Sequence, residues 1–287
     1  MSDHDELFRL HQLFFTGQYA KVVELNNDEY SDESKRLVDF YKVRSLISLN
    51  KFDDIESLIS GNDDGLYQAL GVYSKFVSSG LEKNAEFEKI VESNAGDSII
   101  GRLGALYYIK LNELEEAIKI LEFTESLENT LFLVEIYLIL NDLSKADATI
   151  KKANNSNDEI ILNLADNLIN SLKNGENLRS VLYFFEELAH QNPSLITLLG
   201  LFVINLQLNQ LPEAEIVLNQ LEELGVTSED LLANEVAYYQ IKNDSATVEL
   251  KRKQLAELNS QHPAVLDYTS KNELFDTIVE KYKEQLN

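Results

Sequence analysis

One recurrence constrains this chain more than any other feature. Small or apolar residues suited to close helix contact stand at Val22, Ile55, Ala117, Ala146, Val181 and Ala214, separated by 33, 62, 29, 35 and 33 residues. Each closes the same local pattern: a small or apolar residue, a Tyr or Leu three positions on, a turn residue four further, then an aromatic or Leu. Ala105, Tyr108, Asn112, Leu114 and Ala117 carry it most fully. Val134, Tyr137, Asn141, Leu143 and Ala146 repeat it, as do Ile169, Leu172, Leu178 and Val181, and then Phe202, Asn205, Asn209, Leu211 and Ala214. Earlier copies read Leu10, Leu13, Gly17, Tyr19 and Val22, then Val43, Leu46, Asn50, Phe52 and Ile55.

A helix pair joined by a tight turn and repeated every ~34 residues is the mark of a tetratricopeptide (TPR) array. The gap of 62 residues predicts one degenerate repeat, with helices near 65–79 and 81–92. Composition agrees, since only 11 Gly and 3 Pro interrupt a chain of 287 residues rich in helix formers. Pro212 falls near the start of a second helix, where its missing N–H costs little, and Pro193 stops the helix before it. Pro263 opens a closing section with helices predicted at 264–268 and 271–283. Every turn is short, so the expectation is one all-α, TPR-like solenoid over residues 1–287. It holds six to eight helix pairs, with repeats over roughly residues 5–260 and a helical cap at about 261–283.

Catalytic chemistry finds no residues to work with. Cysteine is absent, which excludes disulfides, thiolate zinc sites and cysteine nucleophiles. His4, His11, His190 and His262 form no short metal-ligand spacing. Ser60-Gly61-Asn62-Asp63-Asp64-Gly65 faintly resembles a calcium loop, but Gly71 stands where a bidentate Glu is needed, so an inter-helix turn is expected. Adjacent acids such as Glu115-Glu116, Glu186-Glu187 and Glu222-Glu223 point about 100° apart on a helix and cannot face each other across a substrate. No catalytic, cofactor or metal residue is expected.

The formal net charge of −24 repels phosphate backbones and anionic lipid, so neither nucleic acid nor direct membrane docking is expected. A basic or neutral protein partner suits such a surface, as does the bland alternative that the acids keep the chain in solution. The N-terminal residues, Met1-Ser2-Asp3-His4-Asp5-Glu6, carry no targeting pattern. The most apolar run, 195–208, is too short to cross a bilayer.

In such an array the first helix of each pair lines the concave wall. The position four after the small residue reads Phe14, Ile47, Ile109, Leu138, Lys173 and Leu206, and Phe15, Leu106, Leu131, Ile139, Leu199 and Val203 stand at neighbouring inward positions. A stripe this apolar is covered either by a partner segment or by tight winding of the array upon itself. It also speaks against a clamp for acidic peptide tails, which needs inward Lys and Arg.

Three stretches give the chain a more particular likeness. They are Asp5-Glu6-Leu7-Phe8 with Phe14-Phe15-Thr16-Gly17-Gln18-Tyr19; Asn174-Gly175-Glu176-Asn177-Leu178 through Tyr183-Phe184-Phe185-Glu186-Glu187-Leu188-Ala189 to Pro193-Ser194 and Leu198-Leu199-Gly200; and His262-Pro263, Tyr268, Lys271, Phe275-Asp276, Val279 and Tyr282. Ser126-Leu127-Glu128 adds to them. In these the chain resembles the epsilon subunit of coatomer, over most of its length. The match is poor from about 61 to 97 and ends after Tyr282. The resemblance implies a non-catalytic subunit of the COPI vesicle coat that curls around part of the C-terminal domain of the alpha subunit. It further implies indirect contact with other coat subunits and the membrane, and a cytoplasmic location, peripheral on Golgi membranes and COPI-coated vesicles. The implied roles are Golgi-to-ER retrograde and intra-Golgi transport. The alternative expectation is another cytosolic TPR adaptor.

Overall fold

The computed structural model describes residues 3–123, 126–153 and 160–286, and among them it contains seventeen α-helices and no strand. The chain forms two compact units, Met1–Ser194 and Leu195–Asn287. In the first unit, α1 (Asp3–Phe15) pairs with α2 (Tyr19–Val23), α3 (Asp32–Ser48) with α4 (Phe52–Ile59), and α5 (Gly65–Ser78) with α6 (Ala85–Ser93). There follow α7 (Ser98–Lys110) with α8 (Leu114–Phe123), α9 (Leu127–Ile139) with α10 (Leu143–Ala153), and α11 (Ile160–Lys173) with α12 (Asn177–Gln191). The second unit holds α13 (Leu195–Gln207) with α14 (Leu211–Glu223), α15 (Glu229–Ile241) with α16 (Ser245–Leu258), and a long closing helix, α17 (Pro263–Leu286).

Left-handed backbone at one residue makes most of the turns within pairs. Gly17, Asn50, Asn112, Asn141 and Asn209 all have φ between 55 and 75°. Gly and Asn tolerate this region where other residues are strained. The amide after each then reaches back across the helix end: Lys51 to the Leu46 carbonyl at 2.9 Å, Glu113 to Tyr108 at 2.8 Å, Asp142 to Tyr137 at 2.7 Å and Gln210 to Asn205 at 2.9 Å. This satisfies carbonyls the helix leaves unpaired and fixes where the second helix sets off. Asn243 does the same work, with the Asp244 amide reaching the Tyr239 carbonyl at 3.0 Å, and Asn174 shares its φ of 59°, both in turns that the sequence pattern had not marked.

The six close-contact positions, Val22, Ile55, Ala117, Ala146, Val181 and Ala214, are each no more than 1% exposed. Helices α5 and α6 fill the 62-residue gap. The second of them begins at Ala85, later than expected, because Leu81 is left-handed at φ 63° and the Asn84 side chain caps the helix by accepting from the Phe87 amide. Ser60–Gly65 is an inter-helix turn in which Asp64 caps α5. The closing section is a single helix where two were predicted. Thr269-Ser270 carries only a small helix penalty, and the Lys271–Asp267 ion pair at 2.6 Å spans the expected break.

Candidate partner-binding surfaces

In the first unit part of the sequence-predicted stripe is covered by the unit's own side chains. Helix α1 packs against α3 and also against α11, so the array winds back on itself. Phe14 is 6% exposed, with its ring 4.7 Å from Tyr41 and the Arg44 guanidinium 4.5 Å above it. Leu131 is 3% exposed. Ile47 and Leu106 are half-buried against the same core. The stripe is therefore covered at these positions by winding.

A buried ionic cluster sits within this unit. Glu128, 1% exposed at the start of α9, accepts from Tyr41 at 2.8 Å, from Arg102 at 2.9 Å and from Arg44. Burial alone would raise the Glu128 carboxyl, but the two guanidinium groups and their bonds hold it below its ordinary range. Burial, together with the Glu128 charge, pushes the Tyr41 hydroxyl well above the usual phenol value. Arg44 also lies over Phe40 and Phe132, at 5.0 and 5.6 Å. Removing Glu128 would leave the Arg44 and Arg102 guanidinium groups without their shared counter-charge, at a cost of about 3–5 kcal/mol. The cluster ties helices α3, α7 and α9, more than 80 residues apart at its extremes. It is a structural clasp that sequence reading passed over, although Glu128 lies in one of the stretches carrying the family likeness. Two turns further along α9, burial raises the Glu135 carboxyl to about 7.

Other inward positions remain accessible. Ile109 and Leu138 are half-buried, and Ile139, at the end of α9, is 64% exposed beside Leu140 at 50%. Lys173 is exposed and bound to Asp147 at 2.8 Å. In the second unit Leu199, Val203 and Leu206 are all half-buried, and their spacing places them along one face of α13, in line with the 39%-exposed Ile196. The sequence-predicted residues thus divide into an internal set, Phe14 and Leu131 with Ile47 and Leu106 against them, and a set that still meets solvent, led by Ile139 and the α13 row.

Sequence reading also missed the most exposed apolar row. Helix α17 shows Leu274, Phe275 and Tyr282 at 60, 63 and 59% exposure. The seven-residue interval from Tyr268 to Phe275 to Tyr282 was the available signal. No group of His, Asp or Glu among the described residues is placed to hold a metal ion, and none of the described helices is long and apolar enough to cross a membrane.

Comparison with known proteins gives this arrangement a family context. The model of the coatomer epsilon subunit family matches residues 3–283. The chain is 27% identical to a probable coatomer subunit epsilon of Schizosaccharomyces pombe over 202 residues, covering 69% of this chain and 67% of that one. It is 24% identical to coatomer subunit epsilon of Saccharomyces cerevisiae, covering 96% of this chain and 98% of the relative, and 24% identical to that of Caenorhabditis elegans at 96% and 97%. Among solved structures, the APC/C hetero-tetramer Cut9-Hcn1 is similar in fold at a TM-score of 0.62 and 13% identity, covering 91% of this chain and 53% of the other. A tetratricopeptide repeat protein from Parabacteroides merdae is similar at 0.54 and 11%, covering 87% and 96%.

Proposed function

This chain belongs to the coatomer epsilon subunit family, and from that premise we propose that it binds the C-terminal domain of the coat's alpha subunit and stabilises it. Family and fold are of the scaffold type, and a coatomer subunit works in association with other coatomer subunits in vesicle transport. The finer reading draws on one observation: inward-pattern apolar residues, Leu199, Val203 and Leu206 on α13 and Ile139 on α9, still meet solvent in the isolated chain. Full burial of an exposed side chain of this kind is worth about 1.5–3 kcal/mol before association costs; Ile139 has most of that left to gain, and the half-buried α13 residues only part of it.

The mechanism is mechanical. A stack of helix pairs presents many small contacts and resists opening, because each pair leans on the next. The chain's role is to steady the end of the alpha subunit, with membrane contact made through the rest of the coat. Its place is the cytoplasmic face of Golgi membranes and COPI-coated vesicles, in Golgi-to-ER and intra-Golgi transport.

Mixing the purified chain with a C-terminal fragment of the alpha subunit tests the reading. The expectation is co-elution as one species. Leu206→Asp is expected to abolish it while circular dichroism still reports a folded helical protein. Separate elution of the wild-type chain and the fragment overturns the proposal.

A further inference from the structure

Helix α17 is physically incomplete as it stands. It packs chiefly on α16, and from Ser270 to Lys283 every side chain except the half-buried Val279 is exposed. Yet its composition is that of a packed helix. At about 100° per residue, Tyr268, Leu274, Phe275, Ile278, Val279 and Tyr282 fall within about 140° of its circumference. The stripe is continuous with a groove of about 300 Å³ between α15, α16 and the start of α17, where Val265 and Tyr268 form one wall. An apolar face of this width on one helix is a mark of an interaction site.

Charge around the stripe selects among occupants. Lys281 and Lys283 border it, and Lys271 within it is neutralised by Asp267 at 2.6 Å. Glu273 and Glu280 stand on the opposite face, with Asp276 between them and Lys283. A lipid-bound helix carries lysines across its polar face, whereas the polar face here is acidic, so an anionic bilayer is repelled. A second copy of the helix brings lysine rims together. It also stacks Tyr268, Phe275 and Tyr282 in a seam where a two-stranded coil favours Leu.

We infer that α17 is a second docking surface for the coat partner, taking an apolar segment of that subunit whose edges carry acidic residues. The inference rests on the reading of the chain as a coat protein that binds the C-terminal domain of the alpha subunit. It adds a contact whose charge preference is the reverse of what the net charge of −24 suggests.

Titration calorimetry of the full chain with the same C-terminal fragment of the alpha subunit tests it. Phe275→Ser combined with Tyr282→Ser is expected to weaken binding at least a hundredfold, and Lys281→Glu combined with Lys283→Glu about tenfold. Because these side chains are exposed, thermal melting should be unchanged. Wild-type affinity in both variants, with loss in Leu206→Asp, overturns the inference and leaves the parent reading standing. No binding by the wild-type chain ends both. Wild-type self-association that the Ser variant removes, or binding to phosphatidylserine vesicles that it removes, also overturns the inference in favour of those occupants.

Discussion

At the residue scale, the turn asparagines and Glu135 show two different relations between sequence and structure. Asn50, Asn112, Asn141 and Asn209 were legible because few residue types accept a left-handed backbone, so side-chain chemistry and backbone geometry point the same way. Glu135 was illegible, because an acid inside a helix reads as a solvated face until tertiary packing is known. Its carboxyl is raised to about 7 against an ordinary 4.5, first by burial, with the Glu128 charge adding to the rise and Arg44 opposing it. The folded state therefore holds this proton more tightly than the unfolded state does. Stability from this group is present below pH 4.5, declines as pH rises through 7, and does not return above it. The melting temperature of Glu135→Gln minus that of the wild type should accordingly grow between about pH 5 and 7.5. A difference that stays constant across that window contradicts the assignment.

At the scale of elements, helix pairs were readable wherever a small residue marks the crossing, as at Ala117, Ala146 and Ala214. The pair α5–α6 lacks such a mark in its expected place. Its close approach is made from the next helix, at Gly104 of α7, where an added Cβ would lie 2.8 Å from a Val91 methyl of α6. Gly104→Ala should therefore destabilise the chain by about 1–3 kcal/mol through overpacking. Val91→Ala should relieve part of that cost, so the double variant loses less than the two single losses summed. Urea unfolding midpoints measure both; strict additivity contradicts the contact. The unbroken α17 was misread for a related reason. Thr269-Ser270 resembles a turn in local composition, but nothing in the backbone there obliges the helix to end.

At the scale of the whole molecule, the repeat spacing revealed the fold class and nearly every helix, whereas the binding surface was only half legible. Periodicity identifies which face of a helix is apolar, but whether that face is closed by winding depends on contacts far apart in sequence. Helix α1 against α11, and Glu128 against Arg44, decided it for Phe14 and Leu131, and no local pattern announces either. Pro193 was legible as a helix stop but not as a neighbour of the boundary between compact units at 194 and 195. Leu199, Val203, Leu206 and the α17 row are left as apolar surfaces that meet solvent, and these are the ones proposed to hold a partner. Amide hydrogen exchange of the chain, alone and saturated with the C-terminal fragment of the alpha subunit, tests that most directly. The account predicts that amides of α13 and α17 slow at least tenfold in the complex while those of α8 and α10 stay unchanged. Protection confined to α8 and α10, or no protection at all, contradicts it.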